Sequence, residues 1–204
     1  AYGRDDMIKQ LLGTRRDFQN YKSYAVATMD KVLPEDRRKD AIKLSANYMA
    51  SAYIQNDGNG KFSIKQLPQI AQISMLNGMV ADDFDGDGNL DIAFNTNDYG
   101  TEPTVGRYDG LAGLVLKGGG NGEFKTLSIL QSGIFINGNG KGLAKIRSGN
   151  NNYLIVSTQN RGPVQLFKNK HSVKIIPASA TDMFAIFTLK KKKKQKVECN
   201  YGAS

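Results

Sequence analysis

The sequence predicts a mainly β protein with an N-terminal helical segment, and three observations set that expectation. From about residue 50 to 180, short apolar and β-branched runs alternate with Gly, Asn and Asp turn signals at the spacing of consecutive short strands. Before residue 49 the apolar residues recur instead every three or four positions, the period of a helix face. A turn motif inside the β region returns 62 residues later, the mark of a repeating unit.

In the N-terminal segment, Ile8, Leu11, Leu12, Phe18, Tyr21, Tyr24, Ala25 and Met29 outline one face of amphipathic helix within 4–48. Gly13 is expected to divide it and Thr14 to cap the second piece. Pro34, followed by Glu35 and Asp36, is expected to open a further helix running to about Met49. Arg15, Arg16, Arg37, Arg38 and Lys39 read as solvated helix surface in preference to a contact for an acidic partner. Residues 1–49 are thus expected to be a helical insertion.

Strands are expected at 51–55, 61–67, 79–83, 91–96, 112–117, 123–129, 142–146, 153–158, 164–168 and 173–177. The 22 glycines suit tight hairpins, which need positive φ. Residues 181–204 read as a Lys-rich β-hairpin whose lysines form an exposed turn or protect an edge strand. An alternative gives Lys190, Lys191, Lys192, Lys193, Lys194 and Lys196 a polyanion, either nucleic acid or acidic polysaccharide, as partner.

The repeat selects among β architectures. Asn59-Gly60-Lys61-Phe62 recurs as Asn121-Gly122-Glu123-Phe124, and the segment 83–91 has a fainter echo in 135–143. A unit of roughly 50–60 residues holding four short strands is the period of a propeller blade. The expected architecture of 50–180 is therefore a partial β-propeller of four-stranded antiparallel blades. Residues 50–67 would supply the last two strands of one blade, 79–129 a whole blade, and 134–177 most of a third. A closed propeller needs at least four blades. The remaining blades are expected on a longer chain, in keeping with a start, Ala1-Tyr2-Gly3-Arg4, that has no signal-peptide pattern.

Composition removes several functions. Of the net charge of +9, residues 1–47 carry ten basic and seven acidic groups, 48–189 twelve and eleven, and 190–204 six and one. The body is close to neutral, which argues against a nucleic-acid face. No run of apolar residues is long enough to span a membrane. The single cysteine, Cys199, excludes an internal disulfide, and the single histidine, His171, excludes classical zinc-finger ligation. With His171 in a polar turn no nucleophile–base pair is visible, so a hydrolase is the weakest reading, although an acid–base carboxylate pair in the loop 98–109 stays open. The glycine-rich stretch 118–122 lacks the Lys-Ser/Thr of a phosphate loop. Tyr21, Tyr24, Tyr48, Tyr53 and Phe62 read as packing residues.

One constellation carries chemistry. Asp83, Asp85, Asp87 and Asp91 stand at positions 1, 3, 5 and 9 of a loop, and Asn89 at position 7 is placed to offer its backbone carbonyl. Calcium takes six to eight hard oxygen ligands and suits alternating carboxylates on a tightly wrapped loop, whereas Mg²⁺ dehydrates reluctantly. Gly86 and Gly88 allow the turn, and five of the body's eleven acidic residues fall between Asp82 and Asp91. An EF-hand is disfavoured because Phe94 occupies position 12, where a Glu belongs, and the loop runs into an apolar strand. The bland alternative is an acidic hairpin with no metal. A second group, Asp98, Glu102, Arg107 and Asp109 on the long loop 97–109, is placed to line a ligand groove or second cation site, and the favoured alternative is a solvated loop held by internal ion pairs.

At 83–91 the sequence resembles the FG-GAP, or VCBS-type, repeats of integrin-α-like β-propellers, whose Asp-x-Asp-x-Asp-Gly-x-x-Asp loop is matched by Asp83, Asp85, Asp87, Gly88 and Asp91. The Asn-Gly-x-Phe turns look like outer hairpins of the same blades. The spacer 97–109 and the stretch beginning Gly3-Arg4-Asp5 are similar to elements of large Bacteroidetes-type propeller proteins. The resemblance covers about 50–170. It implies Ca²⁺ as cofactor, a non-enzymatic role in protein or glycan recognition or adhesion, and a secreted, periplasmic or cell-surface location. In the second copy the ligand positions become Phe135, Asn137, Asn139 and Leu143, so no tight calcium site is expected there.

Overall fold

The structure is a computed structural model that describes residues 3–149, 152–171, 173, 176–179, 181–188 and 194–199. The chain divides into two compact units, Ala1–Met49 and Ala50–Ser204.

The first unit holds five short helices: α1 (Arg4–Gln10), α2 (Gly13–Asp17), α3 (Tyr21–Ala25), α4 (Met29–Val32) and α5 (Glu35–Arg38). None is long enough to be stable alone, so their order depends on shared packing. Met7, Phe18 and Val32 form that small core, with Tyr24 edge-on to Phe18 at 5.6 Å. Arg4 ties the first turn to the Phe18 carbonyl at 2.8 Å, and Arg37 holds Asp17 at 2.8 Å. Two expectations fail here. Thr14 lies buried inside α2, and the cap that forms is Asn20, whose side chain accepts from Ser23 N–H. The helix expected to reach Met49 ends at Arg38, because Ile42, Leu44 and Met49 find no surface to pack against and stay almost fully exposed.

The second unit is β. Among the described residues strand accounts for 36% and helix for 18%, which makes the protein mainly β. Four antiparallel sheets form among the described residues. β1 (Ala52–Gly58) pairs with β2 (Lys61–Gln66). A four-stranded sheet follows in the order β3 (Leu76–Asp82), β4 (Asp91–Thr96), β5 (Leu114–Gly118) and β6 (Phe124–Leu127). A three-stranded sheet holds β7 (Gly140–Ser148), β8 (Asn152–Gln159) and β9 (Gln165–Lys168). β10 (Phe184–Thr188) pairs with β11 (Lys194–Glu198).

The four-stranded sheet is covered on both faces, and strand alternation explains how. Ala93 of β4 and Val115 of β5 point to a core shared with Leu143, Tyr153 and Ile155 of the three-stranded sheet. Their neighbours Phe94, Leu114 and Leu116 point the other way, into a core with Leu67 and Ala71, against which Tyr53 of β1 packs. Each fully buried large side chain such as Leu116 contributes about 1.5–3 kcal/mol. Polar atoms stitch β3 and β4 to β7. Asn77 Nδ2 donates to the Gly140 carbonyl at 2.7 Å, and Asn95 Nδ2 to the Gly142 carbonyl at 2.7 Å. Asn95 Oδ1 in turn accepts from Gly78 N–H.

Strand positions differ from expectation mainly at bulges. β3 starts at Leu76 rather than residue 79, with its register shift between Leu76 and Met79. β7 starts at Gly140 rather than 142, with the shift between Gly140 and Leu143. The strand expected at 123–129 stops at Leu127, because Ser128 and Gln131 form a reciprocal capping box that opens α6 (Ile129–Ser132). Of the strand expected at 173–177, Val173, Ile176 and Pro177 are in none, and 174 and 175 lie outside the described residues.

Candidate metal centre

The loop 83–90 closes the hairpin between β3 and β4, whose last ladder pair is Asp82 with Asp91. It connects the first two strands of the four-stranded sheet. Gly86 and Gly88 have φ of 79° and 87°, which a residue with a Cβ adopts only under strain. The wrap is held from inside by Asp83, which accepts from Gly86 N–H at 2.8 Å, Asp87 N–H at 3.1 Å and Gly88 N–H at 2.8 Å. Asp91, 2% exposed, accepts from Phe84 N–H at 3.1 Å and from Gly118 N–H of β5 at 2.8 Å. The loop is thereby anchored to a strand outside its own hairpin.

The geometry brings Asp83, Asp85 and Asp91 together, with one oxygen of each within 4.8 Å of the others. Two oxygens on one calcium ion lie at most about 5 Å apart, given bonds of about 2.3–2.6 Å. The donor set therefore fits a hard divalent cation, and this triad could hold a metal ion. Asp87 stands outside it. Its Oδ1 accepts from Asn89 N–H at 2.8 Å and its Oδ2 lies 3.0 Å from Lys117 Nζ. Lys117, on β5, also donates to Asp85 Oδ2.

The electrostatics follow. The Asn89 N–H, then Lys117, hold the Asp87 carboxyl below the usual range. Burial pushes Asp91 up, and the charges of Asp85 and Asp87 add to this against the two N–H donors that lower it. The two aspartates raise the Lys117 ammonium, chiefly through its hydrogen bond to Asp85.

The other candidate residues do not converge. Asp98 and Tyr108 form a two-way backbone bridge, each N–H donating to the other's carbonyl at 2.9 Å. The Asp98 carboxylate takes Gly100 N–H and Lys141 Nζ at 3.0 Å each, which lowers its pKa. Arg107 lies over the Tyr99 ring at 4.9 Å, and Asp109 accepts from Asn97 Nδ2 at 3.0 Å. Glu102 enters through its carbonyl, which accepts from Val105 and Gly106. These groups close the loop upon itself, apart from the Asp98–Lys141 pair, which ties it to β7. In the tail, Lys194 and Lys196 lie on β11, and Lys196 is held by Glu198 at 2.6 Å and the Phe184 ring at 4.6 Å. Lys190, Lys191, Lys192 and Lys193 lie outside the described residues.

Sequence reasoning missed Lys117 and the Gly118 N–H, which reach the loop only because β5 runs beside β4 and carry no local signal. It also missed Asn97, fully buried at φ 77°, whose side chain bonds Ser74, Asp109, Leu111 and Gly138.

No family model, no curated protein and no solved structure matches the chain. Among the described residues no helix is long and apolar enough to cross a membrane.

Proposed function

We propose that the chain is part of a calcium-binding β-propeller of the FG-GAP/VCBS type, a non-enzymatic module that recognises a protein or glycan partner outside the cytoplasm. The observation that carries this reading is the convergence of Asp83, Asp85 and Asp91 on the first hairpin of a four-stranded sheet. Two further features support it. The four-stranded sheet is flanked on both faces, as a blade between two others must be. Both Asn-Gly-x-Phe copies form hairpin turns, at β1–β2 and β5–β6, and the two are joined by Lys65 Nζ donating to the Asn121 carbonyl at 2.8 Å.

In this reading Asp83 orders the loop backbone, Asp91 fixes the loop to β5 through Gly118, and Asp85 supplies the exposed third carboxylate. Ca²⁺, when bound, supplies charge neutralisation and a cross-link between the loop and the first residue of β4. The outward faces of the stack, with Ile54, Phe62 and Ile64 on one side and Ile146 and Leu166 on the other, suit the remaining blades of a longer chain. Polyanion binding through the tail has less support, since Lys196 is already committed to Glu198.

Thermal unfolding in EGTA and in about 5 mM CaCl₂ tests the reading. A site of modest extracellular affinity contributes about 1–2 kcal/mol at that concentration, or a rise of roughly 3–8 °C for a unit of this size. The rise should vanish in the Asp85→Ala, Asp87→Ala double variant. A wild-type melting curve that calcium leaves unmoved refutes it.

A further inference from the structure

The acidic loop recruits a cation from the chain itself. Lys117 sits on β5, opposite Lys125 of β6, and its side chain crosses to the loop, donating to Asp85 Oδ2 and lying 3.0 Å from Asp87 Oδ2. Among the described ion pairs it is the one basic group that reaches any of Asp83, Asp85, Asp87 and Asp91. The side chain is 36% exposed, so it can swing into solvent without opening the core. Asp85 is thus claimed twice, by the converging triad and by Lys117.

Four carboxylates crowd the loop, and one ammonium leaves three negative charges, still enough to attract a divalent ion. A double positive charge in the triad would share Asp85 with the ammonium at a few Å. Repulsion between a double and a single charge at that distance is worth at least about tenfold in binding, even at the dielectric constant of water.

We propose that Lys117 is a tethered stand-in for the metal, balancing the loop when no divalent ion is bound and yielding Asp85 when one arrives. This rests on the reading of the loop as a calcium site. Its consequence is that the β3–β4 hairpin is formed before calcium is met, and that Lys117 weakens calcium affinity in exchange for stability of the metal-free state.

The test compares wild type, Lys117→Gln and Lys117→Arg by calorimetric titration with CaCl₂ and by melting in EGTA. Lys117→Gln should bind calcium roughly tenfold more tightly, melt lower in EGTA, and show a larger calcium-induced rise. Lys117→Arg, which keeps the charge, should follow wild type in all three. If Lys117→Gln binds calcium no more tightly than wild type while calcium still stabilises both, the role of Lys117 is overturned and the calcium site stands. If none of the three responds to calcium, the site itself fails and the inference with it. Should Lys117→Gln not fold, Lys117→Met with the same two measurements decides between these outcomes.

Discussion

Gly78→Ala puts the packing of the sheets to a direct test. Gly78 lies on β3 where that strand crosses β7, and its φ is not in the left-handed region, so an alanine there meets only a question of space. A Cβ would fall against Leu143 N, 2.8 Å from the Gly142 carbonyl carbon and 3.1 Å from Gly142 Cα. Ordinary carbon contacts need about 3.5–4.0 Å, so the strands must part by roughly 1 Å. These neighbours are backbone and cannot rotate away. Parting stretches two bonds across the seam, from Asn77 to Gly140 and from Asn95 to Gly142, each 2.7 Å now. Overpacking costs about 1–3 kcal/mol, and two weakened part-buried hydrogen bonds up to about 1 kcal/mol each, for a total of up to about 3–5 kcal/mol. Urea unfolding followed by circular dichroism reads this directly. Without the close approach, Gly→Ala at a permitted φ stabilises by roughly 0.4–1 kcal/mol through the unfolded chain. A variant as stable as wild type, or more so, refutes the proposed contact between β3 and β7.

Two further outcomes follow from the loop 97–109. Asn97→Ala should lose about 3–4 kcal/mol in urea unfolding, since it removes five side-chain hydrogen bonds and leaves a Cβ at a left-handed φ, and Asn97→Gly, which loses the same bonds but relieves the φ, should lose less. Asp98 has its folded-state pKa lowered by Gly100 N–H and Lys141, so its contribution is present above its unfolded pKa near 4 and fades as pH falls through the lower folded value. Asp98→Asn should flatten the acid limb of a stability–pH curve in that window, and an unchanged acid limb would remove Asp98 from the account.

Where sequence was informative, the signal was local. The aspartates at alternate positions mark the loop because a two-residue period with glycines between them has few other uses, and β4 falls at 91–96 because its apolar run is bounded by that loop and by Asn97. The starts of β3 and β7 were not legible, since each is displaced by a bulge that leaves no trace in residue type. α6 was legible in principle, as Ser128 and Gln131 stand at capping-box spacing, but the apolar residues around them look equally like strand. The absence of helix over 41–49 was not, because periodicity reports a possible apolar face and not whether anything packs on it. Asn77, Asn95 and Asn97 look in sequence like loop residues, yet they bond groups 20 to 63 positions away. Lys117 is hidden for the same reason, its partners lying some 30 residues upstream.

The joins made by Asn77 and Asn95 have a consequence for the conditions the protein can tolerate. A carboxamide neither gains nor loses a proton over the range in which proteins stay folded, and counter-ions do not screen it. The grip between β3–β4 and β7 through these amides should therefore keep the same strength in brackish or acidified surroundings, while the aspartate hairpin above it responds to every change in protons and dissolved ions. Sensitivity to the medium enters through that hairpin and through the ion pairs of Lys141 with Asp98 and Lys145 with Asp82, while the amide joins are left indifferent to it.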